Sequence, residues 1–323
     1  MVIGWSVLVL LSLLMYVVLD GYDLGIGVAT LFERDPRHRH AMVEEVSVAW
    51  DGNESWLVLL GVSLWAGFPL AFASILPHAY LALIVVLFAL IVRGVSVEMA
   101  SQQHPAARWE RAFGVASLVA ALAQGVALAT LTQSLHVVKG AYSGSAFGSL
   151  SWFSVLAAVT VTCLYLVTGY AYIKLKSTGE LRAVAGRRGM VAGGAAALLV
   201  AASLGAVNAT AAPLNLATPG RAIGFAGLLL FAAAGMVLAV VTFRPASSFD
   251  VLPIAGLVTA TVALVVAVIV ARAPVIAPPS LTVARSASPS TTMVFLAVGV
   301  GLNMPLVLFY NWFAQHAFKG RLA

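Results

Sequence analysis

The stretch Trp50-Asp-Gly-Asn-Glu-Ser-Trp-Leu57 sets two carboxylates, Asp51 and Glu54, three residues apart at the mouth of a long apolar run. A second pair with the same spacing, Asp20 and Asp23, lies near the end of the first apolar run, in Leu19-Asp-Gly-Tyr-Asp-Leu-Gly25. A spacing of three places each pair on a common helix face. Ionisable side chains inside a bilayer are expensive, and those that persist face the bundle interior, where they relay protons, bind cations or neutralise one another. Proton transfer through titrating carboxylates is the chemistry these four acids suit. A structural reading competes with it. Asp51 and Asn53 would cap the helix they open, whose N-terminal dipole favours negative charge, while Asp20 or Asp23 would pair with Arg93. Capping accounts well for Asp51 and poorly for Asp20 and Asp23.

The composition sets the solvent in which these acids sit. The 323 residues are 61% hydrophobic and 9% charged, with a mean hydropathy of +1.00, whereas a soluble domain carries roughly a quarter charged residues. Nine runs approach the roughly 20 residues that cross hydrocarbon: 3–29, 55–76, 79–99, 112–133, 150–173, 190–211, 221–243, 251–271 and 291–314. They are continuous and rich in Leu, Ala and Val, not alternating as barrel strands would be. The expected fold is an all-α polytopic membrane protein with nine transmembrane helices, forming a single integral membrane domain over residues 1–323. No loop exceeds about 25 residues, too few for a soluble domain. The first run continues past the length of a secretory h-region and lacks a basic flank, so it reads as a retained span.

Lys and Arg accumulate in cytoplasmic loops. With the N-terminus outside, the inner side receives Arg34, Arg37, Arg39, Arg93, Arg108, Arg111, Lys174, Lys176, Arg182, Arg187, Arg188, Arg244, Lys319 and Arg321. The outer side receives Lys139, Arg221, Arg272 and Arg285. Fourteen against four predicts N-out and C-in, so the net charge of +6 is a topology signal and not a nucleic-acid footprint. Asp20 then lies about 25 Å along the first helix at 1.5 Å per residue, near the inner boundary. Asp23, Asp51, Glu54, Arg93 and Glu98 converge on the same leaflet.

Other residue types add limits. His38 and His40 lie in the first inner loop amid Arg34, Arg37 and Arg39 and read as a solvated basic face. His78 and His136 lie near outer ends, His104 in an inner loop and His316 past the last span, so no histidine is at mid-membrane to ligate a haem. The lone Cys163 allows no disulfide or Cys-based metal site within the chain. The pairs Gly21/Gly25, Gly189/Gly193 and Gly220/Gly224 have small-xxx-small spacing, which lets helix backbones approach. Pro36, Pro77, Pro105, Pro274, Pro278, Pro279 and Pro289 read as connections, residues 273–290 as an external loop, and Pro305 as a kink in the last span.

Leu19-Asp-Gly-Tyr-Asp-Leu-Gly-Ile-Gly27, Trp50-Asp-Gly-Asn-Glu-Ser-Trp-Leu57, Ala66-Gly-Phe-Pro69 and Arg93-Gly-Val-Ser-Val-Glu98 closely resemble subunit II of the cytochrome bd-type quinol oxidases, including the cyanide-insensitive branch. The motifs cover roughly the first third of the chain; the remainder is similar in helix count and loop pattern. The resemblance implies two four-helix bundles, about 1–135 and 150–272, plus one peripheral helix, about 291–314. It implies an oxidoreductase subunit of the bacterial inner membrane that ligates no haem itself. A haem-bearing subunit I would carry two haems b, haem d and the site oxidising ubiquinol or menaquinol, with oxygen reduced to water. A small single-helix subunit and membrane lipid are further candidate partners.

By the same resemblance Asp51 matches the Asp of the family's Trp-Asp-Gly-Asn motif, associated with a proton pathway at the interface with subunit I. Glu54 is its neighbour in that pathway, and Asp20 and Asp23 either extend the relay or neutralise Arg93. Trp56 matches an aromatic near an apolar oxygen-access tunnel. The runner-up is a proton- or cation-coupled secondary transporter, which would place its acids at paired broken helices near the midplane.

Overall fold

The computed structural model describes residues 1–48, 50–102, 106–135, 137–138, 141–210, 214–244, 249–277 and 281–317. Lys139, Lys319, Arg321, His104, His136, Pro105, Pro278, Pro279 and the side chain of His316 lie outside them. The apolar runs fold as helices α1 (Val2–Thr30), α3 (Trp50–Gly67), α4 (Pro69–Gln102), α5 (Ala107–Thr130), α6 (Trp152–Lys176), α7 (Gly179–Thr210), α8 (Pro219–Thr242), α9 (Leu252–Arg272) and α11 (Ser290–Ala317). Two shorter helices join them, α2 (Pro36–Ser47) and α10 (Val283–Ser286). Small antiparallel hairpins, β1 (Val137–Val138) with β2 (Ala141–Tyr142) and β3 (Val275–Ala277) with β4 (Leu281–Thr282), close two connections.

Eight of the described helices are long and apolar enough to cross a membrane. The exception among the long ones is α3, whose 18 residues open with the polar Asp51-Gly-Asn-Glu-Ser55. The boundary expected between the runs 55–76 and 79–99 lies elsewhere. The chain breaks at Phe68, between Gly67 and Pro69, and Pro77 is inside α4 instead of in a connection. Pro69 opens α4, where a missing N–H costs nothing because the first turn has no helical acceptor for it. The last carbonyls of α3 are satisfied from a distance in sequence: Ser288 donates its Oγ to Ala66 at 2.7 Å and its N–H to Gly67 at 2.9 Å. These bonds meet the need of a helix C-terminus for outside donors.

The first inner loop is also not a plain loop. Asp35 accepts from the N–H of Arg37 at 2.9 Å, Pro36 follows as the first helical residue, and Met42, Val43 and Val46 bury one face of α2. An N-cap carboxylate followed by proline is a strong start signal.

At the centre stands α1. Every residue from Asp20 to Thr30 is buried, because α2, α3, α5 and α6 all pack around this third of the helix. Glycine makes that crowding possible. A Cβ on Gly25 would collide with the Tyr165 carbonyl and the Gly169 amide of α6, so the two backbones touch directly, as small residues permit in membrane bundles. Gly189 and Gly193 pack on Phe243 and Val240, while Gly220 and Gly224 face open space. The expected pairing thus operates within this chain at the first two sites only.

Candidate functional site

Three helices meet where α1 ends, α3 begins and α4 approaches its end. From α4, Arg93 reaches inward with its side chain wholly buried. Its Nη1 donates to Asp20 Oδ1 of α1 at 2.6 Å, and its Nη2 to Glu54 Oε1 of α3 at 2.7 Å. Asp23, fully buried, is held differently: Asn53 Nδ2 donates to Asp23 Oδ2 and to the Tyr22 hydroxyl, each at 2.8 Å. Asp20 Oδ2, Asp23 Oδ1, Asn53 Oδ1 and Arg93 Nε have no hydrogen-bond partner among the described residues. Buried polar atoms are nearly always paired, so four such atoms in one cluster single this place out.

The two same-face acid pairs therefore split. Asp20 joins the guanidinium and Asp23 the amide; Glu54 turns inward with its side chain 24% exposed, while Asp51 is exposed and accepts only locally, from the Gly52 N–H at 2.8 Å. The cap expected at Asn53 is absent: its Nδ2 is turned to Asp23 and Tyr22, and its Oδ1 accepts from no described residue. Glu98, expected at the same boundary, is exposed and accepts from Gln102. Trp56 is 1% exposed and lines an apolar groove of about 550 Å³ between α3 and α11, shared with Leu59, Phe295, Val300 and Met304.

Residues that sequence reading passed over extend the cluster. Gln124 Nε2 donates to the Tyr16 hydroxyl at 2.5 Å, and the Tyr165 hydroxyl donates to Gln124 Oε1 at 2.9 Å. Tyr16 lies one turn before Asp20, a spacing that was legible, as was a glutamine in the middle of an apolar run. On the other side, the Tyr22 and Tyr172 rings stack at 4.2 Å.

Ion pairs ring this end of the bundle. Arg39 and His40 of α2 hold the buried Glu110 of α5 at 2.9 and 3.0 Å, so they are not the solvated basic face expected of them. Arg188 of α7 meets Glu33 at 2.8 Å, and Lys176 of α6 meets Glu45 of α2 at 3.2 Å. Lys174 and Arg182 converge on Asp250 at 3.3 and 2.7 Å. Burial pushes the Glu45 carboxyl above the ordinary carboxylate range, with Lys176 and Tyr172 pulling the other way. Burial acts on Asp250 too, but hydrogen bonds and charge from Arg182 and Lys174 outweigh it and hold that carboxyl low.

Three carboxylates thus face one guanidinium, and Asp23 has only an amide partner. A cluster of this kind can bind and release a proton at Asp23 while the Asp20–Arg93–Glu54 bridge holds the helices. The paired discontinuous helices of a transporter are not seen among the described spans, each of which is continuous.

Comparison with known proteins bears on the family and the fold. Over 186 residues the chain is 31% identical to cytochrome bd-I ubiquinol oxidase subunit 2 of Escherichia coli (strain K12), a stretch covering 55% of this chain and 49% of that protein. It is 28% identical over 183 residues to cytochrome bd ubiquinol oxidase subunit 2 of Bacillus subtilis (strain 168), covering 55% and 54%. The chain thus spans about half the length of the relatives it matches. Its fold is similar to a chain in the structure of bd oxidase from Geobacillus thermodenitrificans, with a TM-score of 0.75 at 15% identity over 98% of this chain and 99% of that one. The family model described as cytochrome bd terminal oxidase subunit II matches residues 1–318, and the chain belongs to that family.

Proposed function

We propose that this chain is the non-haem-ligating subunit II of a bd-type terminal quinol oxidase in the bacterial inner membrane, and that it contributes to cytoplasmic proton uptake. The observation that carries the proton assignment is the cluster of buried Asp20, Asp23 and Arg93 with the partly exposed Glu54, at the end of the bundle where most of the Lys and Arg gather. The positive-inside rule assigns that end to the cytoplasm, with the N-terminus outside and nine crossings once α3 is included. On this reading α1 and α3–α5 form one four-helix bundle, α6–α9 the second, and α11 is peripheral.

In the complex, a haem-bearing subunit I oxidises ubiquinol or menaquinol and passes the electrons to oxygen, which takes up protons to become water. The buried histidine of this chain is already engaged. His78, the one described histidine that is buried, engages both ring nitrogens, with the Tyr142 hydroxyl and Gln133 Oε1, each at 3.0 Å. On this reading two haems b and haem d belong to subunit I. Asp51 is exposed in the isolated chain together with Ser55, Val58, Val62 and Trp65, residues recurring every three or four positions along α3. A partner docked on that stripe would bury Asp51 at the interface, beside Glu54, and turn an exposed carboxylate into the mouth of the pathway. The groove at Trp56 is apolar enough to admit oxygen. A small single-helix subunit and lipid would cover other apolar faces.

The test is Asp23→Asn in the assembled oxidase. With haem content unchanged, the phase of proton uptake that accompanies oxygen reduction slows at least tenfold. A variant with normal haem, turnover and charge separation refutes the assignment.

A further inference from the structure

We infer that the turn joining α1 to α2 carries a binding site for an anionic phospholipid at the inner membrane boundary, a contact that is independent of the proton-uptake reading. The site starts from a charge imbalance. Six arginines, Arg34, Arg37, Arg39, Arg111, Arg187 and Arg188, stand about the three carboxylates of Glu33, Asp35 and Glu110. The carboxylates are already taken: Arg188 meets Glu33 at 2.8 Å, Arg37 meets Asp35 at 3.0 Å, and Arg39 meets Glu110 at 2.9 Å. Glu33 also accepts from the backbone N–H groups of Arg34 and Asp35, at 2.8 and 3.0 Å. Arg34, Arg111 and Arg187 are exposed and have no acid partner among the described residues.

Packing places these three at one turn. Leu31 lies on Gly114 of α5, where an added Cβ would come within 2.7 Å of the leucine Cδ2. Arg111 sits one turn nearer the start of α5, on the same face as Gly114. The Arg188–Glu33 bond draws α7 against the turn as well, and Arg187 comes with it. Arg34 belongs to the turn itself. In the same segment, directly after Thr30 ends α1, Phe32 is 57% exposed and Leu31 38%.

Unpaired arginines beside exposed apolar side chains fit one occupant. Guanidinium groups bind phosphate through a planar fork of donors, and basic clusters between transmembrane helices on the cytoplasmic side hold anionic headgroups. A soluble anion would satisfy the arginines and leave Phe32 in water. An apolar partner would cover Phe32 and bury three unpaired cations. A phospholipid does both, with its phosphodiester toward Arg34, Arg111 and Arg187 and its acyl chains along Phe32 and Leu31, because aromatic rings and headgroups share the boundary where a span ends. The site is built on the end of α1 with α5 and α7, whereas the stripe proposed to receive subunit I lies on α3, which packs on α1, α4 and α11.

The test is lipid retention by the assembled oxidase. Delipidated enzyme is reconstituted into bilayers of equal parts phosphatidylglycerol and phosphatidylcholine, extracted again in mild detergent, and its bound lipids are counted by native mass spectrometry. Wild type should keep phosphatidylglycerol in preference to phosphatidylcholine. Arg34→Gln, Arg111→Gln and Arg187→Gln should each lower that preference about fivefold, and Phe32→Ser should lower retention of the same lipid, with the haem spectrum reporting assembly throughout. The three arginine variants are independent, so one that fails to assemble leaves the other two to decide. Arg37→Gln removes the same charge from a paired arginine and should keep the wild-type preference. Water-soluble glycerol phosphate at matched concentration should not displace the lipid. No loss in the arginine variants, an equal loss in Arg37→Gln, or displacement by glycerol phosphate overturns the site, and each of these results leaves the proton-uptake test at Asp23 untouched.

Discussion

Replacing Arg93 by Gln tests whether the guanidinium holds α1, α3 and α4 together. The side chain is fully buried and bridges Asp20 at 2.6 Å and Glu54 at 2.7 Å. Ordinary polar contacts between membrane helices contribute only about 0.6 kcal/mol on average, so a neutral hydrogen bond here would barely register. The charge changes the scale. Removing one partner of a buried ion pair costs about 3–5 kcal/mol, because the other charge is stranded, and Asp20 at 1% exposure has no water to turn to. Asp20→Asn strands less: Arg93 keeps Glu54 and the Asn oxygen still accepts, so the loss is about 1–3 kcal/mol. Glu54→Gln should cost least, since that side chain is a quarter exposed. The double variant Arg93→Gln/Asp20→Asn leaves neither charge of the tighter pair and should lose less than the two single variants together, by about 0.5–3 kcal/mol of coupling. Large membrane complexes inactivate irreversibly, so the assay is the half-life of the purified oxidase at a fixed elevated temperature, followed by its haem absorbance. An unchanged half-life for Arg93→Gln, or strictly additive losses in the double variant, refutes the reasoning.

Two further perturbations read other parts of the fold. Gly25→Ala drives a methyl into the Tyr165 carbonyl, a backbone atom that cannot swing aside. It should destabilise by about 1–3 kcal/mol or more, seen as a shortened half-life, while Gly220→Ala, facing open space, should be near neutral unless a partner helix covers it. Asp250 has a folded pKa below its ordinary value of 3.8. Its pairs therefore stabilise the fold above that value and fade as pH falls through the lower folded one. Asp250→Asn should lower stability at neutral pH and flatten the loss below about pH 4, measured by inactivation rate against pH.

Much of the fold was legible because membrane helices announce themselves by length and apolarity, which local composition settles. The boundary at Phe68 was missed because Pro77 looked like the stronger break; its flanks are apolar on both sides, and only the Gly67-Phe-Pro69 turn, pinned by Ser288 from far along the chain, decides the matter. Helix α2 was hidden by its charges, although the Asp35-Pro36 start was there to read. In the site, residue types were legible and pairings were not. That Arg93 binds Asp20 and Glu54, leaving Asp23 to Asn53, depends on how α1, α3 and α4 rotate against one another, a tertiary quantity. Tyr22 and Tyr172 sit 150 residues apart, and no spacing rule joins them.

The basic residues that suggest topology have a second use that changes how that signal should be weighed. Of the Lys and Arg at the crowded end of the bundle, Arg39, Arg93, Lys174, Lys176, Arg182 and Arg188 each pair with an acid on another segment. These bonds tie α2 to α5 and α6, α4 to α1 and α3, α7 to the segment after α1, and α6 and α7 to the turn before α9. Exposed ion pairs contribute little, but Arg93 and Lys174 are wholly buried and their acid partners nearly so. The charge bias that suggests the orientation therefore also serves closure of the bundle. The two roles separate under mutation: neutralising Arg93 or Lys174 should loosen the bundle without inverting it, because the remaining basic residues still bias orientation, whereas neutralising an exposed residue such as Arg37 should weaken the orientation signal and leave the packing intact.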